Sequence, residues 1–424
     1  MHVYEAVVKG LESADVDTAF GGNGENIASL AVALKHSNIR PIMARHEQAA
    51  SFMACGYAMF TGKLGVCFAT VGPGAFNLFT GLGVALSDSY PVLAITGFIR
   101  LDWRGRGAVN DTSGLNGTPD SQAMFAATTK RSFLIEDIAD TCDIVEEAVN
   151  IAFEGRPGPV HIHVPQNLAD RGMKVHNYHD VRRYVQPVRP DPEQVEAIAE
   201  LLASALREGR RVVLLAGYGA VRSRAEAAVL HFVERFQVPL VTTLDGKGVI
   251  SESHPLVAGV FHESGHASAW KAFREADVVL ALGNSLSQHA TFGLREDLFD
   301  GKTLIQVNIS GTEIGKRYPA QQGLVSDGRP SPRRWRAGSS RWRRCRSTAR
   351  TTSIASSCLG WDPSTRASWR RPSAASCRRT PCCWPTPART SPGSATTWIW
   401  SRARASASAA SSGRWQRTRT PRSA

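Results

Sequence analysis

LGVCFATVGPGAFNLFTGLGVALSDSYPVLAITG, residues 64–97, decides the fold class. Its first eight residues form a continuous apolar run that ends at Gly72-Pro73-Gly74. NLFTGLGVALSD then has the spacing of a helix, and PVLAIT is a second apolar strand. Two such strands joined by a helix and short connections argue for a parallel sheet covered on both faces. Gly72 and Gly74 let the backbone approach a ligand closely, and ligands in open α/β sheets bind at such carboxyl ends of strands. The alternative is a turn that simply needs glycine.

The same alternation extends outward. Val3, Val7 and Leu11 share a helical face, DTAFGG is a strand running into a glycine turn, and NIASLAVAL is a helix. An irregular stretch near 103–120 precedes the amphipathic TCDIVEEAVNIAFEG and the strand in RPGPVHIHVP. A polar segment follows, and then a second alternating set: helix 192–207, RVVLLAG, helix 222–236, PLVTTLDGKG, helix 265–275, DVVLALG and TLIQVNIS. The expected class is α/β, with two doubly wound parallel-sheet domains followed by a disordered Arg/Ser/Pro-rich tail. The expected boundaries are 1–170, a linker at 171–190, 191–327, and the tail at 328–424.

The formal charge of +13 suggests a nucleic-acid-seeking protein, but it is unevenly placed. Residues 328–424 hold 21 Arg, no Lys and one acidic residue, Asp362. That tail carries +20, which leaves −7 on residues 1–327. Eight of ten Trp and five of eight Cys lie in the tail, and Phe, Tyr, Val and Asn are absent from it. Such a composition cannot bury enough apolar surface to offset chain ordering. Out-of-frame translation of a GC-rich gene would produce it, and a natural basic tail is the alternative. No apolar run approaches the roughly 20 residues of a membrane span. The start, MHVYEAVVKG, lacks the form of a signal peptide. Cys55, Cys67 and Cys142 have no CxxC spacing, so neither a disulfide framework nor a zinc site is indicated. Buried thiols in a cytoplasmic protein are expected.

Within RHEQAASFMACGYAMFTGK, residues 45–63, Glu47 is a lone carboxylate among small residues. On a helix Ala50, Ser51, Ala54 and Ala58 lie along its face, and Gly56 opens room for a neighbouring element. An acid stripped of water there is a good partner for a ring nitrogen. A helix-terminal Glu at the positive end of the dipole explains the residue equally well.

Taken in order, RHE, GYA-x-x-TGK, GPG-x-x-N and PVLAITG resemble the pyrimidine-binding domain of thiamine-diphosphate-dependent enzymes. The group is that of acetolactate synthase, pyruvate oxidase and benzoylformate decarboxylase. EGRPGPVHIHVP resembles the end of that domain, and VTTLDGKGVISESHPLVAGV and ADVVLALGNSL resemble the family's central domain. The resemblance covers roughly residues 1–327. It implies that Glu47 hydrogen-bonds the aminopyrimidine nitrogen, so that the thiazolium carbon loses its proton and attacks a 2-keto acid substrate. It also implies that Pro73, Gly74 and Asn77 line the pyrimidine pocket. Asn23 and Gly24, in FGGNGE, and Gln122, in DSQAMF, would then border the substrate. Thiamine diphosphate, Mg2+ and a homo-oligomer (dimer or tetramer) formed through the pyrimidine domain come with the family. Flavin is present in the central domain of only some relatives, and Gly217 and Gly219 lack the third glycine of a dinucleotide fingerprint. His262, His266 and His289 have no metal-ligand spacing and are expected on loops.

In this family a third domain holds the diphosphate through magnesium, using a GDG motif and a later Asn. The chain has no GDG and no Asn after Asn308. Magnesium needs oxygen ligands, usually carboxylates, so this chain is expected to lack a complete site. Two other readings remain open: a non-catalytic regulatory partner of an intact paralogue, or nucleic-acid binding through the arginine-rich tail.

Overall fold

The computed structural model describes residues 1–174, 178 and 188–327. Most of the expected linker and the whole of the expected tail lie outside the described residues. The first sheet contains β1 (Thr18–Gly21), β2 (Arg40–Met43), β3 (Gly65–Ala69), β4 (Val92–Phe98), β5 (Arg131–Leu134) and β6 (Pro159–Pro165). Their order is β2-β1-β3-β4-β6-β5, and every pairing is parallel. The second sheet contains β7 (Val212–Ala216), β8 (Leu240–Thr242), β9 (Val257–Val260), β10 (Val278–Leu282), β11 (Thr303–Asn308) and β12 (Gln322–Val325). Its order is β12-β11-β10-β7-β8-β9, again all parallel. The α/β, doubly wound expectation is correct for both sheets. No helix among the described residues is long and apolar enough to cross a membrane.

Burial on both faces explains the apolar runs. Every residue of β3, β4 and β6 is buried, because helices cover each side of the sheet. The helix Pro192–Arg207 starts where its sequence says it must: Asp191 caps it by accepting from the Glu193 N–H, and Pro192 fills the first turn. The expected helix 222–236 is instead two helices, Tyr218–Arg222 and Glu226–Phe236. Arg224, at φ +53°, closes the first with an Ala225 N–H to Ala220 carbonyl bond.

The helix Glu47–Thr61 buries Ala50, Ser51, Ala54, Cys55 and Ala58. Gly56 is not the point of close approach, since a Cβ added there would meet nothing within 4 Å. The contact is made from the other side. A Cβ on Gly81, in the helix Phe79–Asp88, would fall 2.2 Å from Ser51 Oγ, and one on Gly65 would fall 2.2 Å from the Ala54 carbonyl oxygen. Gly83, two residues on in that helix, has nothing within 4 Å. We therefore expect Gly81→Ala to destabilise by about 1–3 kcal/mol through overpacking. Gly83→Ala should stabilise by up to about 1 kcal/mol through helix propensity. Urea melts of the two variants check the pair, and equal effects would contradict the packing argument.

Candidate functional site: a glycine-lined carboxylate at the switch point

From β1 the chain moves outward to β2, then returns to place β3 on the other side of β1. The crevice outside the carboxyl ends of β1 and β3 is thus the topological switch point, where open α/β sheets bind ligands. The chain leaves β1 through Gly21-Gly22, leaves β3 through Thr70-Val71-Gly72, and leaves β2 towards Glu47.

Glu47 is the first residue of its helix and is half-buried. His46 caps the helix through Nδ1, which accepts from the Gln48 N–H at 3.2 Å. The helix-end position favours the carboxylate through the dipole. Its Oε2 also accepts from Asn77 Nδ2 at 3.0 Å. The helix-terminal reading of Glu47 is correct, and the same carboxylate is also held by Asn77. Asn77 does not start the next helix. It closes the short helix Pro73–Phe76, ahead of Phe79–Asp88.

Oε1 faces a cradle made by missing side chains. A Cβ on Gly74 would stand 3.2 Å from it, and one on Gly22 would stand 3.4 Å away. Gly24 passes beneath Thr70, where a Cβ would clash with the Thr70 Cβ at 2.5 Å. Gly72, at φ +65°, carries the turn that brings Gly74 and Asn77 round to Glu47. The site therefore offers one carboxylate oxygen fixed by an amide and a second flanked by Gly22 and Gly74. A flat nitrogen heterocycle fits that donor set and that lack of Cβ atoms.

The other expected site residues are placed differently. Pro73 is exposed in the first turn of its short helix. Asn23 is exposed, and its Oδ1 accepts from the Gly24 N–H at 3.0 Å. Gln122 donates from Nε2 to the Ser132 carbonyl at 2.7 Å, and no hydrogen bond among the described residues joins it to Glu47. Gly22 and Thr70 belong to the cradle but were not expected. The paired glycines after β1 were the available signal for Gly22. Cys55, Cys67 and Cys142 are free and buried, and burial pushes the Cys55 thiol up to about 12. No cluster of three or more His, Cys, Asp or Glu able to hold a metal occurs among the described residues.

Residues 1–124 match the family described as "Thiamine pyrophosphate enzyme, N-terminal TPP binding domain", and residues 197–332 match "Thiamine pyrophosphate enzyme, central domain". The chain belongs to the thiamine pyrophosphate enzyme family. It is 34% identical over 333 residues to a "Probable acetolactate synthase large subunit" of Methanococcus aeolicus, covering 77% of this chain and 53% of that protein. The Methanocaldococcus jannaschii protein of the same name is 35% identical over 328 residues, 76% of this chain and 54% of that one. An "Acetolactate synthase large subunit" of Cyanidium caldarium is 34% identical over 335 residues, 76% and 55% respectively. The chain thus spans about half the length of the curated relatives it matches. Membership of this family implies thiamine diphosphate, with Mg2+ expected beside it.

In the central domain the glycines after β7 serve packing. Gly219 N–H donates to the Gly283 carbonyl at 2.9 Å, and a Cβ on Gly219 would fall 2.7 Å from Gly283 Cα. The two backbones therefore meet closely after β7 and β10, and Gly219 and Gly283 also line a cavity at this second switch point. That cavity, of about 650 Å3, lies away from Glu47, lined as well by Asp88, Tyr90, Arg156, Tyr218 and Arg222 among others. His266 and His289 are exposed and His262 half-buried, as their spacing suggested.

Proposed function

We propose that residues 1–327 supply the pyrimidine-binding and central parts of a thiamine diphosphate-dependent 2-keto acid decarboxylase or carboligase of the acetolactate synthase kind. The observation that carries this reading is the Glu47 carboxylate, held by Asn77 and facing a glycine cradle at the switch point. When bound, thiamine diphosphate supplies the electron sink for decarboxylation. Glu47 Oε1 holds or returns a proton at a pyrimidine nitrogen, while Asn77 fixes the other oxygen so that the carboxyl cannot rotate away. Gly74 and Gly22 keep the approach to Oε1 clear. Pro73 and Gly74 form the pocket wall, and Asn23 and Gly24 border the substrate space. Gln122 borders the same space, with Nε2 holding β5 and a buried Oε1 that has no hydrogen-bond partner among the described residues.

The domain division that goes with this reading is 1–170 for pyrimidine binding, 171–190 as linker and 191–327 as the central domain. Residues 328–424, with one carboxylate and no Asn, stand in place of a diphosphate-binding domain. The 424-residue chain alone is therefore assigned no turnover. Phe52, Met59 and Phe60 are exposed along one side of the Glu47 helix, which supports oligomerisation through this domain. The free thiols of Cys55, Cys67 and Cys142, among the described residues, support a reducing, cytoplasmic setting. Calorimetry of the chain with thiamine diphosphate and Mg2+ tests the assignment of an incomplete site. No detectable heat of binding is expected. Magnesium-dependent binding would show that residues beyond 327, or a partner, furnish the missing ligands.

A further inference from the structure

His161 and His163 alternate along β6, so both side chains fall on one face of a fully buried strand. Each is 0% exposed. They belong to an unbroken chain of hydrogen bonds. Ser132 Oγ lies 2.8 Å from His161 Nδ1, and His161 Nε2 lies 2.9 Å from Thr96 Oγ1. Thr96 Oγ1 lies 2.8 Å from His163 Nδ1, and His163 Nε2 lies 3.1 Å from Ser121 Oγ. The chain ends at Thr112, whose carbonyl lies 3.0 Å and whose Oγ1 lies 3.1 Å from Ser121 Oγ; the hydroxyl can donate to Ser121, the carbonyl cannot.

A neutral imidazole donates one hydrogen bond and accepts one, and each hydroxyl has a single proton. The carbonyl at the end can only accept, so it sets the direction of every bond behind it. Ser121 donates to Thr112, His163 Nε2–H to Ser121, Thr96 to His163 Nδ1, His161 Nε2–H to Thr96, and Ser132 to His161 Nδ1. The reverse order would set lone pairs of Ser121 Oγ and the Thr112 carbonyl oxygen against each other at 3.0 Å.

The far end of this chain reaches the candidate site. Thr112 follows Asp111, whose carboxylate accepts from the N–H groups of Ser113 and Gly105 and so folds the 105–113 segment on itself. Asn110 then lies over Gly72, where an added Cβ would fall 2.9 Å from Asn110 Cβ. A second route runs through aromatic rings: His161 stacks on Phe125 at 3.5 Å, and Phe125 meets Phe79 at 4.6 Å, two residues from Asn77.

We infer that His161 and His163 are positioning residues: as neutral Nε2–H tautomers they form a directed strap that fixes the 105–121 segment over the Gly72 turn and so holds Gly74 and Asn77 against Glu47. Burial lowers the basicity of both rings, which keeps them neutral. The last step rests on the proposed role of the Glu47 cradle, while the strap itself does not.

The test uses the full chain labelled with 15N-histidine, with His161→Gln and His163→Gln serving to assign the two rings. Both imidazoles should show the Nε2-protonated pattern, unchanged from pH 8 to pH 5. Nδ1 protonation, or titration of either ring between pH 8 and pH 5, would overturn the strap. A second measurement reads the link to the site. Thr96→Val keeps the side-chain shape but removes the central hydroxyl. It should speed amide exchange across 105–121 by about tenfold or more and shift the Gly74 and Asn77 amides, leaving the central domain unchanged. Exchange that rises equally throughout the first domain would reduce the histidines to ordinary core residues. Absence of cofactor binding in a completed enzyme would leave the tautomers untouched, so failures of the two readings can be told apart.

Discussion

Stability is expected to fall steeply between pH 6.5 and pH 5, at about 1.4 kcal/mol per pH unit for each of His161 and His163. Both rings are fully buried, and their pKa values lie below the ordinary 6.5, that of His163 at about 3. Burial is the first cause in each case; His163 adds to it for His161. For His163 the nearby Arg104 charge acts in the same direction, against the pull of the Gly97 carbonyl. Above pH 6.5 neither the folded nor the unfolded chain carries these protons, so stability is flat in pH. Below it the unfolded chain takes them up and the folded chain refuses them, so each unit of acid favours unfolding. The slope lasts until the folded-state value is reached, about 3 for His163. Together the pair removes about 4 kcal/mol by pH 5, a large share of the roughly 5–15 kcal/mol that holds a domain folded. The window separates this effect from carboxylate titration. Asp17, held down to about 2 first by its hydrogen bond from Lys63, loses its contribution only once acid reaches the ordinary carboxylate range near 4. Urea midpoints at pH 8, 6.5, 5.5 and 5 measure the slope. A flat line from 6.5 to 5 would mean that the rings find water or take up protons in the folded protein.

The sequence shows the centre of each sheet and hides its margins. The central strands β3, β4, β6, β7 and β10 are apolar runs because helices bury both their faces, and each is visible as such. Four strands go unread in the sequence: β2, β5, β9 and β12. They are the four edges of the two sheets. Each has four residues, and RPIM even contains a proline that only an edge tolerates. In β2, β5 and β12 partial exposure removes the apolar run that a reader looks for, whereas β9 is apolar and mostly buried but short and interrupted by Gly259.

The site divides in a similar way. Glu47, Gly74 and Asn77 stand in ordered motifs, and the structure brings them within contact of one another. Thr70 and Gly22 join them only because the switch point sets the ends of β1 and β3 side by side, a long-range fact that no local spacing contains. Gln122 binds the backbone of β5 through Nε2, while its buried Oε1 has no hydrogen-bond partner among the described residues, a division that the sequence does not show. The histidine strap was nearly legible. HIH within PVHIHVP sets two imidazoles on one face of a strand that must be buried, and buried polar groups need partners. The partners Thr96, Ser121 and Ser132 come from three separate segments, so only the fold reveals them.

Joining residues 1–327 to the part of the Methanocaldococcus jannaschii relative that lies beyond its match should restore turnover of pyruvate, dependent on thiamine diphosphate and Mg2+. In that chimera Glu47→Gln should lower kcat by about 10²–10⁴-fold, equivalent to about 3–5.5 kcal/mol in the barrier. The substitution is nearly isosteric, so the glycine cradle and the helix start remain as they are. Asn77 Nδ2 donates to Oε2, and the glutamine carbonyl can take over that acceptor position. Its NH2 group then points into the cradle, where Oε1 had stood. An amide there offers two donors and can neither accept nor hold a mobile proton, so the loss falls on the chemical step rather than on substrate affinity. Asn77→Ala should cost less, about 10–100-fold, because the carboxylate survives but loses one charge-assisted hydrogen bond. The order of the two effects matters more than either value. If Glu47 merely ended a helix favourably, Glu47→Gln would move stability by a fraction of a kcal/mol and leave kcat alone. Wild-type kcat in the Glu47→Gln chimera would therefore remove the carboxylate from the mechanism, and with it the reading of the cradle as a pyrimidine pocket.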